Sequence, residues 1–335
     1  LRRNKEIVTV LVLSINFYYH VVTPLFVGNI KEIKPWGVNV PYMILAVIYW
    51  TIGGFSLTAS PSDHPYFMLL GAYSLFFGMI QRLFFPATKY FALQILTLIL
   101  LSIPISYFQV LASISLTLTE IWALKDVMTY GGKFPVNLLV LSSPFLSVIA
   151  WSLYPQFWVL ILPLLTYSLG VNIGVFTATL RTKPVFGRDQ LPLLFFLILS
   201  VIIRPLYYFV GVIYLLMIVR TRYKMNLSAS VTLFSVFVTP LLALFLGDTL
   251  HSFFLGVMAP LFFSCIVYST SKYNYDYVWF PVLTSFLSYL IRGISIELSG
   301  IVWAISLLSF LYLVKDNFSL TTLKTGLSSR YLRRR

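Results

Sequence analysis

The chain has 335 residues, of which 59% are hydrophobic, 17% aromatic and only 10% charged. A soluble domain carries about a quarter charged residues, so a water-soluble globular fold is excluded. The formal net charge of +14 does not point to nucleic acid, because the basic residues are scattered through short loops and tails between apolar runs, as on the positive cytoplasmic face of a membrane protein.

The apolar runs predict about thirteen transmembrane helices. The first covers 7–28 and follows a basic start like a signal peptide. It holds Asn16, Tyr18, Tyr19 and His20 and lacks a small-residue cleavage site, so it is expected to be retained. Next come 40–59, 65–85, 89–106 and 107–123, the last two parted near Pro104. Then follow 136–154, 157–180, 191–204 and 206–221. The break at Arg204-Pro205 is placed there because proline disfavours helical geometry in the residue before it. The spans at 228–246, 251–271, 277–291 and 296–314 complete the set. A bilayer core of about 30 Å is crossed by about 20 apolar residues in a helix. Lipid satisfies no backbone polar group, and strands of a barrel would alternate in polarity; the fold class is therefore an all-α polytopic bundle. Residues 1–39 form an N-terminal helix and loop, 40–314 a twelve-helix core, and 315–335 a basic tail.

Loop charge orients this bundle. The loops after odd-numbered spans hold Lys31 and Lys34, Arg82 and Lys89, Lys125 and Lys133, Arg181, Lys183 and Arg188, Arg220, Arg222 and Lys224, and Lys272, and the tail adds Lys315, Lys324 and Arg330. The even-numbered loops hold only Arg204 and Arg292. This asymmetry places the odd loops and the C-terminus in the cytoplasm of a multi-pass plasma-membrane protein. Arg2, Arg3 and Lys5, assigned to the outside, run against it. The outer face then gathers Asp63, His64, Arg204, Asp248, His251, Arg292 and Glu297; ionisable groups near membrane spans are functional candidates by default.

Of three histidines, His64 and His251 each open a long apolar span, follow an aspartate and precede a glycine, Gly71 or Gly256. Two imidazoles at matched depth suit axial ligation of one low-spin haem b between two helices. Small residues beside them would let the macrocycle approach the backbone, and Gly78 falls on nearly the same face as Gly71. Arg292 or Arg204 would meet the propionates, as arginine does with bidentate geometry. The competing reading makes Asp63 and Asp248 ordinary helix caps with solvated histidines, the glycines packing positions, and Arg292 a partner of Glu297 or of lipid phosphate. His20 lies towards the other side, among tyrosines. Glu120, near the inner end of its span, either guides protons or quinol, or pairs with Lys125, or faces the aqueous boundary. A single cysteine, Cys265, excludes a disulfide framework. No Walker loop, HExxH, CxxC or CxxCH motif is present, so ATP hydrolysis, zinc proteolysis and c-type haem attachment have no support.

The segment HPYFMLLGAYSLFFGMIQRLFFP at 64–86 resembles the HxHEMLFG-type helix of NnrS-like haem and copper membrane proteins, which are themselves similar to the twelve-helix core of haem–copper oxidase subunit I. The match holds at His64, Met68 and Gly71, while Tyr66 stands where the second histidine would be. LHSFFLGVMAPLFFSCIVYS resembles the later HxxxxG helix through His251 and Gly256, and PYMILAVIYWTIGGFSL resembles the helix before the first motif. The resemblance covers roughly residues 40–314. It implies that His64 and His251 open core helices two and ten, which carry the low-spin haem ligands in the oxidases, with Arg292 in the connection that meets the propionates. The oxidase copper ligands have no counterpart.

The first expectation is therefore a subunit of a respiratory electron-transfer complex, relaying electrons from quinol or a neighbouring haem to an extracytoplasmic haem or redox protein. In size and composition it is similar to the hydrophobic B subunit of an archaeal respiratory cytochrome b. The second is a haem-free structural subunit of such a complex, and the third a secondary transporter using the outer acidic and histidine groups.

Overall fold

The computed structural model of the chain describes residues 34–129, 137–219, 224–328 and 330. The first expected span, with His20, lies outside the described residues, as do Lys31, Lys133, Arg220 and Arg222.

Among the described residues the chain is helical throughout, with one isolated bridge between Pro35 and Ala87 and no strand. Each expected span from residue 40 onward contains a helix. These are α1 (Asn39–Ala59), α2 (His64–Phe84), α3 (Phe91–Leu101), α4 (Ser106–Thr129), α5 (Leu138–Ser152), α6 (Phe157–Leu180), α7 (Leu191–Ile202), α8 (Val210–Ile218), α9 (Leu227–Leu246), α10 (Thr249–Thr270), α11 (Trp279–Arg292) and α12 (Ile296–Val314), followed by the short α13 (Leu320–Thr325). Seven of them, α1, α2, α4, α6, α9, α10 and α12, are long and apolar enough to cross a membrane. The others are shorter than expected because local chemistry cuts them. Ser102 to Ile105, around Pro104, separate α3 from α4. Ile203 leaves helical geometry before Arg204-Pro205, which sit in a short 3₁₀ turn, Arg204–Phe209, leading into α8.

Five helices start at residues whose side chains accept from the first turn; Asp63, before α2, makes no such bond. Asn137, Asn226, Asp248, Ser295 and Ser319 each take a backbone N–H three residues on, at 3.0–3.3 Å. Consecutive helices pack as antiparallel pairs, α1 with α2, α3 with α4, α5 with α6, and α11 with α12. The middle of the bundle is α2, α6 and α10: 83% of the apolar stretch of α6 and of α10 is buried, against 22% for α12.

With no water to drive burial, cohesion between membrane helices rests on packing and on interhelical hydrogen bonds. Tyr73 donates to the Leu160 carbonyl (2.9 Å), tying α2 to α6, and the Asn172 amide donates to the Leu261 carbonyl (2.9 Å), tying α6 to α10. Most buried serines and threonines return their hydroxyl to a carbonyl three or four residues back, Ser74 and Thr166 among them, and so stay satisfied without water.

The segment after α12 is not a free extension. Gly37 N donates to the Leu323 carbonyl (2.9 Å), and Arg82 donates to the Gly326 carbonyl (2.7 Å) and to Asn39 (3.0 Å). Asn317, Thr322 and Ser328 are buried. The first half of the expected basic tail is thus docked under α1 and α2.

Candidate functional site

His64 and His251 stand at the same end of the bundle, at the N-termini of α2 and α10. His64 Nδ1 lies 2.8 Å from the Gly53 carbonyl oxygen of α1. A carbonyl only accepts, so the bond requires the ring proton on Nδ1 and leaves the Nε2 lone pair uncommitted in the neutral imidazole. His251 repeats this arrangement with a carboxylate, its Nδ1 lying 2.8 Å from Asp248 Oδ1. Fixing one ring nitrogen on a carbonyl or carboxylate is how proteins orient an imidazole whose other nitrogen binds a metal.

Asp248 is the centre of this end of the molecule. Gly247 closes α9 in the left-handed region (φ 75°), which glycine adopts without a Cβ clash, so that Asp248 follows at once and caps α10. Its Oδ1 takes the His251 backbone N–H and the ring Nδ1–H, and its Oδ2 takes Arg292 Nε from the end of α11 at 2.8 Å. Burial alone would raise the Asp248 pKa, but the hydrogen bonds from His251 and Arg292 outweigh it and hold the carboxyl well below the usual carboxylate range. Arg292 is also near enough to His64 for its charge to act on it. Three residues from three separate helices, 64, 251 and 292, therefore form one electrostatic group.

Beside them opens a cavity of about 750 Å³, lined among others by Trp158, Arg204, Tyr208, Asp248 and His251. Arg204 is exposed on its wall. Its size lies in the usual range for a small-molecule or cofactor site. His64 is not on this wall. It sits behind, against α1.

The helix carrying His251 is irregular directly after it. Ser252–Met258 form a π-helical stretch. Pro260 accounts for it: proline has no N–H to give to the carbonyls four and five residues back. Those carbonyls are instead taken by neighbouring helices, Gly256 O by the Ser235 hydroxyl of α9 (2.7 Å) and Leu255 O by the Ser285 hydroxyl of α11 (2.6 Å). π turns inside α-helices are frequent at functional sites, where the widened turn re-aims the side chains near it.

The other site residues expected from the sequence are distributed differently. A Cβ on Gly71 would land in the Trp50 indole, which also donates to the Met68 carbonyl (3.1 Å), and a Cβ on Gly256 would land in Thr239. In this structure both glycines admit a side chain of the preceding helix, and Gly78 likewise faces Tyr42. Arg292 pairs with Asp248, while Glu297 takes the Ser295 hydroxyl (2.8 Å). Glu120 does not pair with Lys125 and is not exposed: it is fully buried, and among the described residues neither carboxyl oxygen has a hydrogen-bond partner. Sequence reasoning took Asp248 for a cap and missed its bridge to Arg292. It also missed the Gly53 carbonyl and the π turn, although Pro260, nine residues past His251, was a visible signal for the latter.

Among the described residues no three histidine, cysteine, aspartate or glutamate side chains come together as a metal ion would require. A metal held at His64 and His251 would have to bring its remaining ligands with it, as a haem does. Comparison with protein-family models gives no match, and no curated protein or solved structure compared with the chain matches it.

Proposed function

We propose that this chain is a membrane subunit of a respiratory electron-transfer complex and that His64 and His251 hold one low-spin haem b near its outer face. The observation that carries the reading is the matched state of the two imidazoles. Each is anchored through Nδ1, one on the Gly53 carbonyl and one on Asp248, and each keeps Nε2 uncommitted. That donor set fits a bis-imidazole iron, for which two protein ligands suffice. Arg292, beside Asp248, and Arg204, on the cavity wall, supply the positive charge that two propionates need. Bound haem would supply a one-electron relay, with quinol or a neighbouring haem as donor and an extracytoplasmic redox protein as acceptor. The likeness of 64–86 and 250–269 to the haem-bearing helices of NnrS-like and oxidase subunit I-like proteins points the same way.

The packing at Gly71 and Gly256 favours a second reading, a haem-free structural subunit of the same kind of complex, because Trp50 and Thr239 already fill the space in front of those glycines.

A reduced-minus-oxidised visible spectrum of the purified protein separates the two. The haem reading expects a b-type difference band that is lost in both His64→Ala and His251→Ala and weakened in Asp248→Asn. A protein without the band, or a band indifferent to both histidines, would overturn it.

A further inference from the structure

Among the described residues Glu120 has no hydrogen-bond or ion-pair partner, and that is the feature from which a second site follows. It is fully buried in α4, and both carboxyl oxygens lack a hydrogen bond. α4 packs chiefly against α3 and α5, and neither of those helices contains a charged residue or a histidine. On its own helix the next ionisable groups are Lys125 and Asp126, and Asp126 is already bound to Lys89 Nζ (2.7 Å) and to the Tyr90 hydroxyl (2.7 Å). An isolated carboxylate in such surroundings bears its desolvation cost with no hydrogen bond or opposite charge to offset it. A carboxylic acid that ties nothing together contributes less to the fold than a leucine would, so its presence inside a membrane span calls for a role.

The rest of α4 supports one. Gln109, Ser113 and Thr117 lie on the same face as Glu120, at helical spacing, and all are buried. The row is about 16 Å long from Gln109 to Glu120 at 1.5 Å per residue. At its far end the Gln109 amide oxygen and the Tyr66 hydroxyl lie within reach of each other, and the Tyr107 hydroxyl is buried without a hydrogen-bond partner. Tyr66 lies two residues after His64 on α2, with its ring against Trp151 and Tyr154 of the α5 end. At the near end Glu120 is six residues from Asp126, about 9 Å along the axis. Buried polar atoms without protein partners are the ones ordered water satisfies in protein interiors, and here they lie at the two ends of the row, while the Ser113 and Thr117 hydroxyls between them bond carbonyls of their own helix.

We propose that Glu120 is a membrane-embedded proton-binding site that takes a proton from the Asp126–Lys89 end of the bundle and gives it back there. The step is the gain and loss of one proton at a carboxylate, with no other bond made or broken. It does not depend on haem at the histidine end.

The test uses the full-length protein in liposomes. Dicyclohexylcarbodiimide, an apolar reagent that modifies protonated carboxyls, is applied at neutral pH and the adducts are mapped by peptide mass spectrometry. Glu120 is expected to be labelled, with the α4 adduct at least tenfold lower in Glu120→Gln and declining as pH is raised. Infrared spectra at neutral pH are expected to show a protonated carboxylic-acid band that is lost in the same variant. Glu120→Leu is expected to match the parent protein in detergent melting temperature, which separates a proton site from a structural contact. An α4 adduct unaffected by Glu120→Gln, an ionised Glu120 at neutral pH in the infrared, or a Glu120→Leu protein that melts much lower would each overturn the proposal.

Discussion

Asp248 joins three parts of the histidine end, and a double-mutant cycle measures how firmly. The variants are Asp248→Asn, Arg292→Gln and the pair. A hydrogen bond to a charged group is worth about 1.5–3 kcal/mol when shielded, whereas exposed ion pairs yield about 0.2–1 kcal/mol. The Asp248 and Arg292 side chains are 36% and 25% exposed, so solvent screening brings the expected coupling down to about 1–2 kcal/mol. Denaturant or thermal unfolding in a fixed detergent reads it. Its pH dependence carries a sign. Because the Asp248 carboxyl is held well below its ordinary value, the stability it contributes is fully present above its unfolded pKa of about 3.9 and is lost as pH falls through the lower, folded value. The coupling is therefore expected to be constant from pH 7 to about pH 4 and to weaken only in stronger acid. Additivity of the two variants to within about 0.3 kcal/mol, or loss of the coupling between pH 7 and 5, would refute the reasoning, the latter because an imidazole rather than the carboxylate would then control it.

The π turn after His251 should depend on the two serines that take its released carbonyls. Ser235→Ala and Ser285→Ala are each expected to destabilise by about 1–3 kcal/mol, the cost of a buried acceptor left unmade, and melting curves that shift in neither variant would show the carbonyls are satisfied otherwise. Gly37→Val would drive a side chain into the Thr322 backbone, which cannot move aside as a flexible side chain can. Limited proteolysis is expected to cut the 315–328 segment at least tenfold faster in that variant, and an unchanged cleavage rate would mean the docking of α13 is not held there.

The sequence by itself determined the class, the helices and their order. Every expected span from 40 onward holds a helix, and the breaks at Pro104 and Arg204-Pro205 fall where proline removes a donor and restricts its neighbour. That His64 and His251 open helices was legible too, because helix starts follow from local hydrophobicity and, at His251, from the Asp248 cap; the cap expected of Asp63 does not form. Lengths were less legible: 3₁₀ turns at Thr88–Tyr90 and Arg204–Phe209 take residues that apolar composition alone assigns to spans.

Only the tertiary structure decided which groups meet. Arg292 binds Asp248, 44 residues away, and not the nearby Glu297. Gly71 and Gly256 receive Trp50 and Thr239, and among the described residues Glu120 is buried without a hydrogen-bond partner. The physical reason is that a membrane helix is apolar on nearly every side, so its sequence carries little information about which face turns inward. That choice falls to close packing and interhelical hydrogen bonds between residues far apart in the chain, and no local pattern records them.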